Sequence, residues 1–364
     1  GMITAQAEDD FPRIEDNYLT SLGRRAEAEG ERALWQDLRQ RLFLDPARLR
    51  ADYARSPAWL RALMDAWAAG LNHYLAAHPQ IRPRVLTRFE PWMALSFTEG
   101  SIGGDIENVS LSDLAAFYGG EKLAIAEPAA ALRDPTGSNG IAIAPSHSVN
   151  GHALLLINPH TSFFFRSELQ MTSGQGLNAY GAVTWGQFFI YQGFNPSAGW
   201  MHTSSGIDNV DEFAEQIVTR NGRRYARHLG RLEPVSERRI SLRYRGADGA
   251  LTARQFTTYA TRHGPIVRSA NGKWIAFVLM NRPIAALQQS YLRTKTSDLA
   301  GFLKVANLKA NSSNNTLFAD RKGEIAYLHP QFVPVRDDRL DWRAPVDGTT
   351  ADWHGLHGLA TLPQ

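Results

Sequence analysis

The spacing of apolar residues changes once along this chain, and that change limits what the chain can fold into. Before Gly119 the spacing is helical: Leu60, Leu63, Met64, Trp67, Leu71, Tyr74 and Leu75 recur at intervals of three and four and make one stripe. After Ser138 it is that of strands. Ile141 and Ile143 alternate with alanines, and Ala153 to Ile157 is a short continuous apolar run. A helical first third followed by a sheet-rich remainder predicts an α+β fold. Its parts are a helical region over 1–119, a linker over 120–137 and a sheet region over 138–364.

Local signals support the division. Residues 8–118 read as helical, with Asp45-Pro46 and Ser56-Pro57 each pairing a capping side chain with proline at the first helical position. Arg82 to Trp92 contains two prolines and is expected to be extended. Glu121 to Thr136 is alanine-rich and broken by Pro128 and Pro135, as a linker would be. Beyond it, strands are expected over 239–245, 254–259, 274–280, 316–319 and 324–328, with turns at Asp248-Gly249 and Lys322-Gly323.

Composition removes several function classes. The chain has no cysteine, which excludes disulfides, thiolate metal ligands and a thiol nucleophile. Its 39 basic and 36 acidic residues nearly balance, and the Arg223–Arg245 cluster has the Arg-x-Arg spacing of a solvated strand face, so no nucleic-acid partner is expected. No apolar run approaches the ~18 residues of a membrane span, and no signal peptide is expected in this stretch. The motifs G-x-S-x-G, H-E-x-x-H, a phosphate-binding loop and an EF-hand loop are absent. His354 and His357 have a zinc-like spacing with no acidic partner between them.

The stretch DPTGSNGIAIAP, residues 134–145, places a Gly-Ser step at the mouth of a strand, directly after the linker. It serves either as a loop or as a bond meant to be cut, leaving Ser138 as a new N-terminus. Asn150-Gly151 suggests a tight hairpin following it. With that pair at the tip, facing residues have numbers summing to 301, so Ile141 opposes His160. Strict alternation then puts Ser138 and His160 on opposite faces, unless a bulge at Asn158-Pro159 intervenes.

The segments TAQAEDDFPRIEDNYLTSLGRRAE, GSNGIAIA, NPHTSF, GWMHTSSGIDNVDEF and NNTLFADRKGEIAY occur in this order along nearly the whole chain. Together they strongly resemble the penicillin acylase family of N-terminal-nucleophile hydrolases, in its aculeacin and acyl-homoserine-lactone acylase branch. The resemblance implies a four-layer αββα sandwich and self-cleavage between Gly137 and Ser138. The freed α-amine would serve as base for the Ser138 hydroxyl, since such an amine titrates near ~7.7–8. It further implies that His160 tunes that amine, and that the Ser204 backbone N–H and the Asn315 side-chain amide hold the oxyanion, with Asn314 competing for the second role. Asp208, Val210, Asp211 and the more distant Asp105 match a structural calcium loop, and also suit plain loop acids; no cofactor is implied for the chemistry itself. Phe163, Phe164, Phe165, Trp185, Phe188 and Phe189 would line an acyl pocket or pack in the core.

The partners implied are a small acyl-amide substrate and the chain's own two segments after the cut, with no membrane. The location implied is periplasmic or secreted. The family's opening strand is missing before AQAED, and relatives continue well beyond Gln364, so the chain is expected to be incomplete at both ends. Two other readings stay open: an uncut, inactive fragment that binds an acyl ligand or a partner, and an ordinary serine hydrolase using Ser138 or Ser204.

Overall fold

The computed structural model describes residues 1–98, 105–120, 137–161, 165–311 and 314–359. The predicted linker, apart from Gly120 and Gly137, lies outside them, as do Phe163 and Phe164. The fold is α+β, with helical elements up to Gly119 and the first described strand beginning at Gly137.

Four helices of ten residues or more carry the first third: Met2–Leu22, Leu34–Phe43, Pro46–Arg55 and Ala58–Ala77. The apolar stripe of the last is the buried one, with Leu60, Met64, Trp67, Leu71 and Tyr74 inside. Asp45 caps its helix as predicted, accepting from Ala47 N at 3.0 Å, with Pro46 in the first turn. Ser56 does not cap the next one. Its hydroxyl turns back to Asp52 O at 2.8 Å, closing the preceding helix, and Pro57 takes the N-cap position. The first helix also starts earlier than expected, at Met2 rather than near residue 8.

Among the described residues the rest is mainly two six-stranded sheets, with a three-stranded sheet of Ile217–Arg220, Arg223–His228 and Arg231–Pro234 and one separate hairpin. The first six-stranded sheet runs in the order Ser236–Arg245, Leu251–Thr261, Gly264–Ala270, Lys273–Val278, Asp211–Glu215 and Val346–Asp347. Ile240, Leu242, Phe256, Val267, Ile275 and Phe277 from this sheet share one continuous core with the N-terminal helices. The second sheet runs Ile325–Leu328, Asn314–Asp320, Ala198–Ser204, Gln192–Phe194, Leu177–Thr184 and Arg166–Ser173. Two helices missed by the sequence reading, Pro283–Arg293 and Leu299–Ala306, pack beside it, and Phe302 meets Phe318 with ring centroids 4.9 Å apart.

The hairpin Gly137–Ile143/Leu154–His160 covers the opposite face of the second sheet. Close approach needs glycine there: a Cβ on Gly140 would lie 2.6 Å from Met201 Sδ, and one on Gly199 2.9 Å from Leu155 Cδ2. The hairpin register differs from the tight-turn expectation. Gly137 opposes His160 and Ile141 opposes Leu156, so facing numbers sum to 297. A 3-10 turn at Pro145–His147 precedes Asn150-Gly151 and widens the loop, moving the register by four. The ladder has no bulge; Pro159 pairs directly with Ser138, which a two-stranded sheet tolerates because each strand is an edge.

Candidate active site

Alternation along the hairpin decides what Ser138 faces. Ser138, Gly140 and Ala142 point at the sheet together with Leu155, Ile157 and Pro159, whereas Ile141, Leu154 and Leu156 are 53%, 46% and 49% exposed on the outer face. Beneath Ser138 lie the paired ends of the strands Ala198–Ser204 and Asn314–Asp320, where Asn315 opposes Thr203 and Asn314 opposes Ser204. Thr203 Oγ1 donates to Ser138 O at 3.1 Å, fixing the strand mouth to the sheet. The Ser138 hydroxyl itself donates to the carbonyl oxygen of Gly137. Gly137 has φ +136°, a backbone region that side chains disfavour, which accounts for glycine on this side of the bond.

Parity also separates the two asparagines. Asn315 shares its face with Leu317, which packs under Gly140, so Asn315 lies on the hairpin side. Its amide nitrogen donates to Ser204 O at 3.4 Å, and its Oδ1 accepts from Gln331 Nε2 at 2.8 Å. Gln331 is fully buried, and its bond aims the amide with nitrogen rather than oxygen toward Ser204. The sequence offered no signal for Gln331, because nothing in its spacing links it to Asn315. Asn314 faces away and donates to Tyr191 Oη at 2.8 Å. On that same far side His202 contacts Thr316 Oγ1 at 2.9 Å; burial, then the charges of Arg293 and Arg166, push its pKa well below the usual histidine range.

His160 does not share the face of Ser138. It lies across from Gly137, on the outer side, with Nε2 3.2 Å from Asn139 Nδ2. Of the predicted acyl-pocket aromatics, the described ones lie in different surroundings. Phe188 and Phe189 belong to the core shared with the helices, Trp185 packs against that core, and Phe165 is 42% exposed beside the Arg166 guanidinium. A cavity of about 320 Å³ lies under the hairpin toward its loop end, bounded by Leu155, Ile157, Phe194, Pro196 and Ala319.

Among the residues matched to a calcium loop, two already bond an arginine. Arg336 Nε donates to Asp211 Oδ2 at 2.8 Å and its Nη1 to Asp208 O at 2.9 Å. Burial pushes Asp211 up to about 6, while Arg336 and the Trp353 indole N–H pull it down. Val210 packs its side chain on the main core, and Asp105 Oδ2 accepts from Asn209 Nδ2 at 3.3 Å. Among the described residues no group of three or more His, Asp or Glu could hold a metal ion, the His354–His357 pair included. No described helix is long and apolar enough to cross a membrane.

Ser138 thus stands at a strand mouth above the sheet ends that carry Thr203 and Asn315. The chain belongs to the penicillin amidase family, whose model matches residues 1–364. It is 25% identical over 377 aligned positions to the acyl-homoserine lactone acylase PvdQ of Pseudomonas putida, covering 93% of this chain and 48% of that protein. A Pseudomonas fluorescens protein of the same name is 26% identical over 380 positions, again covering 93% and 48%. The chain thus spans about half the length of the curated relatives it matches. A thermostable penicillin G acylase from Alcaligenes faecalis superposes with a TM-score of 0.53 at 20% identity, over 62% of this chain and 41% of that one, a likeness of fold.

Proposed function

We propose that this chain is the self-cleaving part of an acylase. Ser138 attacks the Gly137 carbonyl carbon, its hydroxyl proton passes to the departing Ser138 nitrogen, and water hydrolyses the resulting ester. That leaves a carboxylate on Gly137 and a free α-amine beside the restored hydroxyl. The same hydroxyl then attacks the carbonyl of a linear amide bearing a hydrophobic acyl group, with the α-amine taking its proton and returning it to the leaving amine. The Ser204 N–H and Asn315 Nδ2 hold the oxyanion, and water releases the acyl group from Ser138. His160, across from Gly137, would orient the freed amine.

The observation that carries this reading is the Ser138 hydroxyl resting against the carbonyl of the bond to be cut, while Thr203 anchors the residue's own carbonyl. The names of the relatives make N-acyl homoserine lactones the first substrates to assay. Export to the periplasm or beyond the cell belongs to the same reading, as do the two segments remaining partners after the cut.

Intact mass under denaturing conditions tests it, on the wild type beside Ser138→Ala. Two fragments meeting at Gly137–Ser138 in the wild type only are expected. One uncut mass in both overturns self-cleavage and favours an acyl-binding module instead.

A further inference from the structure

The loop at Asp208–Asp211 carries the oxygen donors of a cation site, and the chain fills it itself. We propose that Arg336 is a built-in replacement for a divalent cation at this loop, so that the loop is held without bound metal. Three oxygens converge on one guanidinium. Asp211 Oδ2 lies 2.8 Å from Nε, Asp208 O 2.9 Å from Nη1, and Asp208 Oδ1 3.5 Å from Nη2. Two carboxylates and a main-chain carbonyl are the donors a hard cation would recruit. Two arms of the arginine fork, Nε and Nη1, donate to acceptors lying in different directions, and the group stays charged at every pH where a protein folds.

The surroundings favour the guanidinium over a metal. Arg336 is 15% exposed and Asp211 only 1%, so the pair is largely out of water and neither partner can leave cheaply. The Trp353 indole N–H donates to the same Asp211 oxygen, so Oδ2 is shared by two donors of the chain while Oδ1 is left without a hydrogen-bond partner among the described residues. The Trp342 ring lies 5.6 Å from the guanidinium carbon, a contact that attracts an organic cation. Asp105, the more distant carboxylate, reaches the loop through a neutral amide: its Oδ2 accepts from Asn209 Nδ2 at 3.3 Å.

The replacement also does something a free ion could not. Arg336 and Trp353 come from two backbone segments bonded to each other, through Val335 N to Gly355 O and His354 N to Val335 O, each at 2.9 Å. Both side chains end on Asp211, at the start of a sheet strand. The cation is therefore covalently part of the segment it fastens.

Thermal unfolding of the whole chain with EDTA or with millimolar calcium tests this without any need for activity. The wild type is expected to keep the same Tm in both. Arg336→Ala should lose roughly 5 °C or more in EDTA, and calcium should recover part of that loss in the variant alone. Arg336→Lys, which keeps the charge but not the fork, should fall between the two and covers the case in which the alanine variant does not fold. A wild-type Tm that falls in EDTA, calcium binding to the wild type that Asp208→Asn removes, or an unchanged Tm in both Arg336 variants would each overturn the proposal.

Discussion

The helical region and the Ser138 hairpin are built on opposite principles. Around Trp67 the helices bury whole aromatic side chains: its ring lies 5.0 Å from that of Tyr18 and 5.7 Å from that of Phe89, and its indole N–H donates to Gly186 O at 2.8 Å. The hairpin contributes no fully buried side chain, and one of its faces is open. It is positioned by glycines that let it lie close, and by single polar contacts such as that of Thr203. The contrast teaches where stability and chemistry are kept in this chain. The helices and the first sheet supply the cohesion; the hairpin supplies the strand mouth that carries Ser138.

The sharpest way to break that comparison is Trp67→Ala. Emptying so large a buried site should cost roughly 3–5 kcal/mol in urea denaturation, and a loss below ~1 kcal/mol would show that the helical core is not the main source of cohesion. Next in size is Asn315→Ala, expected to lower acyl hydrolysis by ~10²–10³ in processed protein. Asn314→Ala, on the other face, should leave far more activity, and equal losses would undo the assignment by face. Gln331→Leu should lower kcat without a matching rise in KM, since it acts only by aiming Asn315.

A pH effect belongs to the helical side. Asp37 accepts from Arg25 N at 2.9 Å and Ala26 N at 2.8 Å, yet burial pushes its carboxyl up to about 7. The folded chain therefore binds the proton more tightly than the unfolded one, where such a group titrates near ~3.9. Its contribution is complete below pH ~4 and is lost as pH rises toward 7. Denaturation at pH 4 and pH 7 should show a fall in wild type that Asp37→Asn flattens; parallel falls would remove Asp37 as the cause. The smallest effect is expected on the hairpin, where Ile141→Thr should change stability by no more than ~0.5 kcal/mol.

Much of the fold was legible because it rests on local patterns. The stripe from Leu60 to Tyr74 and the Asp45-Pro46 start act through neighbours three or four residues away, and a sequence displays those directly. The hairpin register was not legible, since the loop conformation at Pro145–His147 sets it and Asn150-Gly151 alone suggests a shorter turn. The helices Pro283–Arg293 and Leu299–Ala306 carried start signals, Pro283 in a first turn and Asp298 bonded to Gly301 N at 2.9 Å, but they are short and lie among strands. In the site, Ser138 stood out by its place after a linker. Gln331 and Arg336 did not. They meet their partners 16 and 125 residues away through tertiary packing, which no spacing rule anticipates.

The core shared by the helices and the first sheet has a consequence for connectivity. Leu60, Trp67 and Leu71, before the Gly137–Ser138 bond, pack in one cluster with Ile240, Phe256 and Phe277, after it. Breaking that bond would therefore turn one polypeptide into two without turning one particle into two. Gel filtration would register the same size before and after, while a denaturing gel would show two bands. Refolding from separated pieces would become a bimolecular reaction, so a cut molecule once unfolded would recover more slowly the more it was diluted.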